Sequence, residues 1–279
     1  MRLPRLADGD CVGAYRLQSR LGHGATGRVY QAVHRESGDV VALKIIGFPD
    51  DLSDNPERQG EIWERFEREV AVCRRLAHPR VIRLLDNGVH SVGAENFPWL
   101  SMPLIVGARS ISQVYRAHPD QNWLLDRTEE ILDTLVYVHA QDVIHRDLKP
   151  DNILIGADGR LSIVDFGLVR ALLPERDRLT RTGQAMGTVQ YMALEQMGDA
   201  KNVDPRADLY SVGMVLFELL EEVTRWADVL PDIMCASGIR FTRPVEPTLA
   251  RFVTRLAEPN REQRYPTAAD ALSSLRLIR

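Results

Sequence analysis

The sequence predicts an α+β fold of two lobes: a small antiparallel β-rich lobe with one main helix, then a larger, mainly helical lobe. Two observations carry this. From Tyr15 to Ile46 the apolar residues come in short β-branched runs broken by glycines, whereas from Ile131 onward they recur mostly at helical spacing. A third is length, since 279 residues are many for one compact unit and ordinary for two. The expected organisation is a lead-in at 1–13 and one domain at 14–279, its lobes at 14–102 and 109–279 joined by a hinge at 103–108.

The elements follow in order. Val29–Val33 and Val40–Ile46 read as strands joined by the turn Glu36-Ser37-Gly38-Asp39. Residues 47–60, with Pro49 and Pro56, read as a loop. Over 61–76, Ile62, Phe66, Val70 and Cys73 stand at helical spacing, with Arg74 and Arg75 in the last turn. Val81–Leu85 and Trp99–Val106 read as two more strands. Asp126 with Glu129 marks the start of a helix whose apolar face is Ile131, Leu132, Leu135, Val136 and His139. The short strands Ile153–Ile155 and Leu161–Val164 follow, then helices over 207–220, 247–257 and 268–277.

Composition excludes several classes. A net charge of −4 is unlike the basic excess of a nucleic-acid binder. Cys11, Cys73 and Cys235 lie far apart, which argues against a zinc site or a disulfide framework and fits a reducing, cytoplasmic setting. The start MRLPRLADGD lacks the apolar core of a signal peptide, and Val212–Leu220 is too short to span a bilayer, so no membrane segment is expected. Trp63, Trp99, Trp123 and Trp226 read as packing residues, and His78-Pro79 as a helix-ending turn.

Four motifs carry chemistry. Gly22-His23-Gly24-Ala25-Thr26-Gly27 is a glycine loop that lets backbone N–H groups approach phosphate. A strand follows it, where a dinucleotide-binding loop would need a helix. In Val41-Ala42-Leu43-Lys44, alternation puts Ala42 and Lys44 on one face. A half-buried lysine needs an anion, which Glu69 and a bound phosphate can supply. The strongest signal is His145-Arg146-Asp147-Leu148-Lys149-Pro150-Asp151-Asn152, followed by Asp165-Phe166-Gly167. Phosphoryl transfer needs a group to orient the attacking hydroxyl, oxygen ligands for Mg²⁺, and positive charge near the phosphate. Asp147, then Asn152 with Asp165, then Lys149 suit these roles.

With these motifs the chain resembles the eukaryotic-type serine/threonine protein kinases also found in bacteria, over residues 14–279. The resemblance implies a kinase-like fold, ATP with Mg²⁺ (or Mn²⁺) as cofactors, and protein partners with Ser/Thr acceptors. It places Leu21, Gly22, Gly24, Gly27, Val29, Ala42 and Lys44 around the nucleotide, with Lys44 pairing with Glu69. Asp147 becomes the catalytic base, Asn152 and Asp165 the metal ligands, and Phe166 a residue packed between lobes. Asp208 resembles the buried aspartate that braces the catalytic loop, and Glu195 the partner of a later arginine, Arg264. Thr188, in Gly187–Ala193, resembles the substrate-binding loop. Arg146 implies a phosphate on the activation segment, with Thr182 first and Thr180 second as autophosphorylation sites and self-association as the means.

Three departures stand out. Leu194 replaces the proline of the family's Ala-Pro-Glu. Met102-Pro103-Leu104-Ile105 lacks the usual acidic residue. With Met102 as gatekeeper, the Pro103 carbonyl and the Ile105 N–H remain for adenine. Residues 221–247 are short and lack a glycine-proline-phenylalanine feature, which bears on substrate docking. The alternatives to an active protein kinase are a pseudokinase scaffold and a small-molecule kinase. Intact Asp147 and Asp165 speak against the first, and Lys149 against the second.

Overall fold

The computed structural model describes residues 3–24, 27–47, 56–93, 95–166, 189–198, 202–233, 235 and 238–278. The described residues form two compact units, one holding those up to Ala77 and from Ile82 to Val106, the other His78–Val81, 107–166 and those from 189 onward.

The first unit is an antiparallel sheet with one long helix. Its strands are β1 (Cys11–Val12), β2 (Tyr15–Gly24), β3 (Gly27–His34), β4 (Val40–Ile46), β5 (Asp86–Val92) and β6 (Glu95–Pro103), in the order β1-β2-β3-β4-β6-β5. Strand alternation sorts the side chains. Val41, Leu43 and Ile45 join Tyr15, Leu17, Tyr30, Ala32, Phe97 and Trp99 in one core cluster, so Ala42 and Lys44 take the other face. Gly27 is required by close approach, because a Cβ there would lie 2.3 Å from the Ile45 carbonyl oxygen.

Helix α1 (Pro56–Arg75) begins inside the expected loop at 47–60. Proline tolerates the first helical turn, where its missing N–H would be unpaired anyway. The strand expected at Val81–Leu85 is replaced by a single bridge from Val81 to Ile163. Its apolar residues reflect burial, Val81 and Leu84 being buried, and the strand itself is the more polar Asp86–Val92. The next strand, expected at Trp99–Val106, runs from Glu95 to Pro103.

The second unit is mainly helical, with a small antiparallel sheet of β7 (Arg109–Ser110), β8 (Ile153–Ile155) and β9 (Leu161–Ile163). Among the described residues its helices of five residues or more are α2 (Ile111–Ala117), α3 (Gln121–His139), α4 (Leu194–Gly198), α5 (Arg206–Glu221), α6 (Pro247–Leu256) and α7 (Ala268–Arg276). Helix α3 does not start at Asp126. Asp120 caps it, its carboxylate accepting from the Asn122 and Trp123 N–H groups. Ser110 with Gln113 and Thr267 with Asp270 form capping boxes for α2 and α7. Helix α5 is buried on nearly every side, and Gly213 lets α6 approach it: a Cβ there would sit 2.7 Å from the Ala257 nitrogen.

Candidate active site

In the first unit, β2 and β3 continue into the glycine loop as a hairpin, with Gly22 opposite Val29 and Gly24 opposite Gly27. Ala25 and Thr26 lie outside the described residues. Ala42 stands between Gln31 and Met102 in the sheet, and Lys44 between Val29 and Leu100. Lys44 is only 5% exposed, an unusual setting for an ammonium group. Glu69 lies on α1 with its side chain at the surface. Burial, with a contribution from the Glu69 charge, pushes the nearby Cys73 thiol up to about 12. Leu21 is exposed, Met102 is buried at the end of β6, Pro103 is exposed and Ile105 half-buried.

In the second unit, the loop that bears Asp147 leaves α3 and turns around one buried carboxylate. Asp208 of α5 accepts the Arg146 N–H on Oδ1 at 2.8 Å, and on Oδ2 the His145 N–H and His139 Nε2, both at 2.9 Å. Burial alone would raise this carboxyl. The hydrogen bond and charge of His139 and the proximity of His145 outweigh it and hold the group below the usual carboxylate range. His145 Nε2 donates to the Val164 carbonyl at 2.9 Å, and its Nδ1 accepts the Asp147 N–H at 3.3 Å. Those two partners fix the neutral tautomer. Burial likewise lowers the imidazole's proton affinity, although Asp208, Asp147 and Asp165 pull the other way.

The loop presents Asp147, Lys149 and Asn152 together. Lys149 Nζ and Asn152 Nδ2 each lie 3.1 Å from Asp147 Oδ2, and Asn152 Nδ2 also donates to the Asp147 carbonyl at 2.7 Å. Asn152 thus turns its nitrogen inward, leaving Oδ1 as its other polar atom. Its own carbonyl accepts the Val164 N–H at 3.0 Å, which ties the loop to the strand leading to Asp165. Asp165 adopts a left-handed φ of 62°. The Phe166 ring is buried on His145, 4.5 Å between centroids.

Beyond the loop, Glu195 and Arg264 form a two-pronged pair at 2.6 and 2.9 Å. The guanidinium is fully buried, also donates to the carbonyls of Glu258, Arg206 and Pro259, and lies over the Tyr210 ring. Tyr191 donates to buried Glu218, which Arg116 also contacts. Desolvation holds the Glu218 carboxyl above its ordinary range despite these partners. Gly167, Thr180, Thr182 and Thr188 lie outside the described residues.

Sequence reasoning missed His139 and Gln196. His139 fell within the expected apolar face of its helix, but its partner Asp208 is 69 positions away, a distance no local pattern reveals. Gln196 Nε2 donates to the Arg146 carbonyl at 3.1 Å, again a long-range contact.

A two-unit fold with this loop braced from α5 has the architecture of a protein kinase. A family model described as the protein kinase domain matches residues 15–275. The chain belongs to the protein kinase family. It is 34% identical to a probable serine/threonine-protein kinase of Streptomyces coelicolor, over 75% of this chain and 30% of that protein. It is 31% identical to the serine/threonine-protein kinase PknB of Mycobacterium leprae, over 98% of this chain and 43% of that protein. The chain therefore spans less than half the length of these curated relatives. The crystal structure of the Mycobacterium tuberculosis PknI kinase domain, solved as a point mutant, superposes with a TM-score of 0.68 at 21% identity, over 98% of this chain and 99% of that one.

Proposed function

We propose that this domain transfers the γ-phosphoryl group of ATP to Ser/Thr hydroxyls of proteins. The observation that carries this is the Asp147 carboxylate, held between Lys149 and Asn152 on a loop whose backbone is pinned to Asp208. Asp147 orients the acceptor hydroxyl and takes its proton. Lys149 offsets the charge gathering on the transferred phosphoryl. Asn152 Oδ1 and the Asp165 carboxylate are hard oxygen donors of the kind that would hold Mg²⁺. When bound, the ion neutralises phosphate charge.

Lys44, with Glu69 as its counter-charge, positions the α/β-phosphates. Gly22, Gly24 and Gly27 bring backbone N–H groups to them, and Leu21, Val29 and Ala42 supply apolar contact. Met102 borders the adenine, which the Pro103 carbonyl and the Ile105 N–H hold. Arg146 pairs with a phosphate on Thr182 or Thr180, placed by self-association, and Thr188 belongs to the substrate loop. Glu195, Arg264 and Asp208 keep the site's framework. A cytoplasmic location fits Cys11, Cys73 and Cys235, none of which forms a disulfide. Among the described residues no helix is long and apolar enough to cross a membrane.

The test is incubation with labelled ATP and Mg²⁺ beside Asp147→Asn, with mass-spectrometric mapping of the product. Wild type should label itself or casein on Ser/Thr. The variant's kcat should fall by about 10²–10⁴, the scale of general-base catalysis, with ATP affinity little changed. Label on small hydroxyl compounds alone would replace the protein acceptor with a metabolite. ATP binding without any transfer would make the domain a scaffold.

A further inference from the structure

Arg146 holds a φ of 63°, a left-handed conformation that costs a non-glycine residue on the order of 1–2 kcal/mol. Such a conformation persists only where the surroundings over-determine it. Here both ends of the residue are bonded. The N–H goes to Asp208 Oδ1 at 2.8 Å, and the carbonyl accepts from Gln196 Nε2 at 3.1 Å. The two anchors come from different helices, α5 and α4. Asp147 is the next residue, so its direction follows the peptide that these anchors hold.

Gln196 is buried at 6% exposure and uses both ends of its amide. Its Oε1 accepts the Ala193 N–H at 3.1 Å, while its backbone N–H returns to the Ala193 carbonyl at 2.9 Å. One end faces a donor and the other an acceptor, which settles the amide orientation. Gln196 thereby supplies the N3 half of a capping box for α4, whose first residue Leu194 lacks a proline's fixed φ. One side chain reads whether α4 has started correctly and grips the peptide before the catalytic aspartate.

We infer that Gln196 is a positioning residue for phosphoryl transfer: it holds the 146–147 peptide in place and makes the aim of Asp147 depend on the start of α4. This rests on the kinase reading above. Gln196→Glu separates the two contacts, since it keeps an acceptor for the Ala193 N–H and sets an oxygen against the Arg146 carbonyl. Gln196→Met removes both. In the full chain, both variants should lose roughly tenfold in kcat, the effect expected from one lost buried hydrogen bond, with KM for ATP unchanged. Amide hydrogen exchange across 145–148 should quicken in Gln196→Glu while that of α6 stays as in wild type. Wild-type kcat in Gln196→Glu would overturn the inference, leaving Gln196 a helix cap only. If wild type itself transfers no phosphate, the kinase reading fails and exchange alone decides: unchanged protection over 145–148 overturns the link, and quickened exchange upholds it.

Discussion

His145 shows how much one side chain can be asked to do. Its Nε2–H serves the Val164 carbonyl, its Nδ1 accepts the Asp147 N–H, and its ring carries Phe166. A second proton on Nδ1 would cancel the bond to Asp147, and burial opposes it further. The sign of the pH effect follows. The folded-state affinity lies below the ordinary value of 6.5, so the unfolded chain binds more protons as pH falls beneath that value. His145 therefore contributes stability that is fully present above pH 6.5 and is lost on acidification. The thermal midpoint should be flat above neutrality and drop by roughly 2–4 °C per pH unit below 6.5. His145→Phe should lose that slope between pH 6.5 and 5.5. An undiminished slope in the variant would assign the effect to other groups.

Helix α4 is too short to hold itself, and its place is set by what its side chains reach. Glu195 reaches Arg264, and Gln196 reaches the Arg146 carbonyl in the loop that bears Asp147. The Arg264 guanidinium has no access to water, so removing its carboxylate partner leaves a buried charge leaning on three carbonyls and the Tyr210 ring. Breaking a buried pair from one side costs about 3–5 kcal/mol, and those remaining acceptors place Glu195→Ala near the low end. Denaturant unfolding of the second unit should show this loss. A change below about 1 kcal/mol would put the pair in the class of surface salt bridges.

At the scale of the whole molecule, the candidate residues divide between the two compact units. The glycine loop, Lys44 and Glu69 belong to the first, and Asp147, Lys149, Asn152 and Asp165 to the second. The roles proposed for them predict separable kinetic defects. Lys44→Met should raise KM for ATP by about tenfold or more through lost phosphate positioning, whereas Asp147→Asn should act on kcat. Steady-state kinetics at varied ATP will distinguish them. An effect of Lys44→Met on thermal stability alone, with KM unchanged, would make Lys44 a structural residue of its sheet.

Much was legible in the chain by itself because it depends on neighbours in sequence. Strand alternation placed Ala42 and Lys44 on one face, and the motif from His145 to Asn152 singled out Asp147, Lys149 and Asn152 by residue type. Helices α5, α6 and α7 fell within a residue or so of their expected limits, since their apolar periodicity is strong. Element starts read less well. Pro56 opens a helix where it suggested a loop, and Asp120 outcompetes Asp126 as a cap because its side chain reaches two free N–H groups. Only the tertiary structure brought His139 to Asp208 and Gln196 to the Arg146 carbonyl. Their partners lie 69 and 50 positions away, and a hydrogen bond across such a separation leaves no trace in local pattern. Local physics chose the elements and the reactive side chains. Long-range polar contacts, which form only once α4 and α5 are packed, hold the backbone of the loop that carries Asp147.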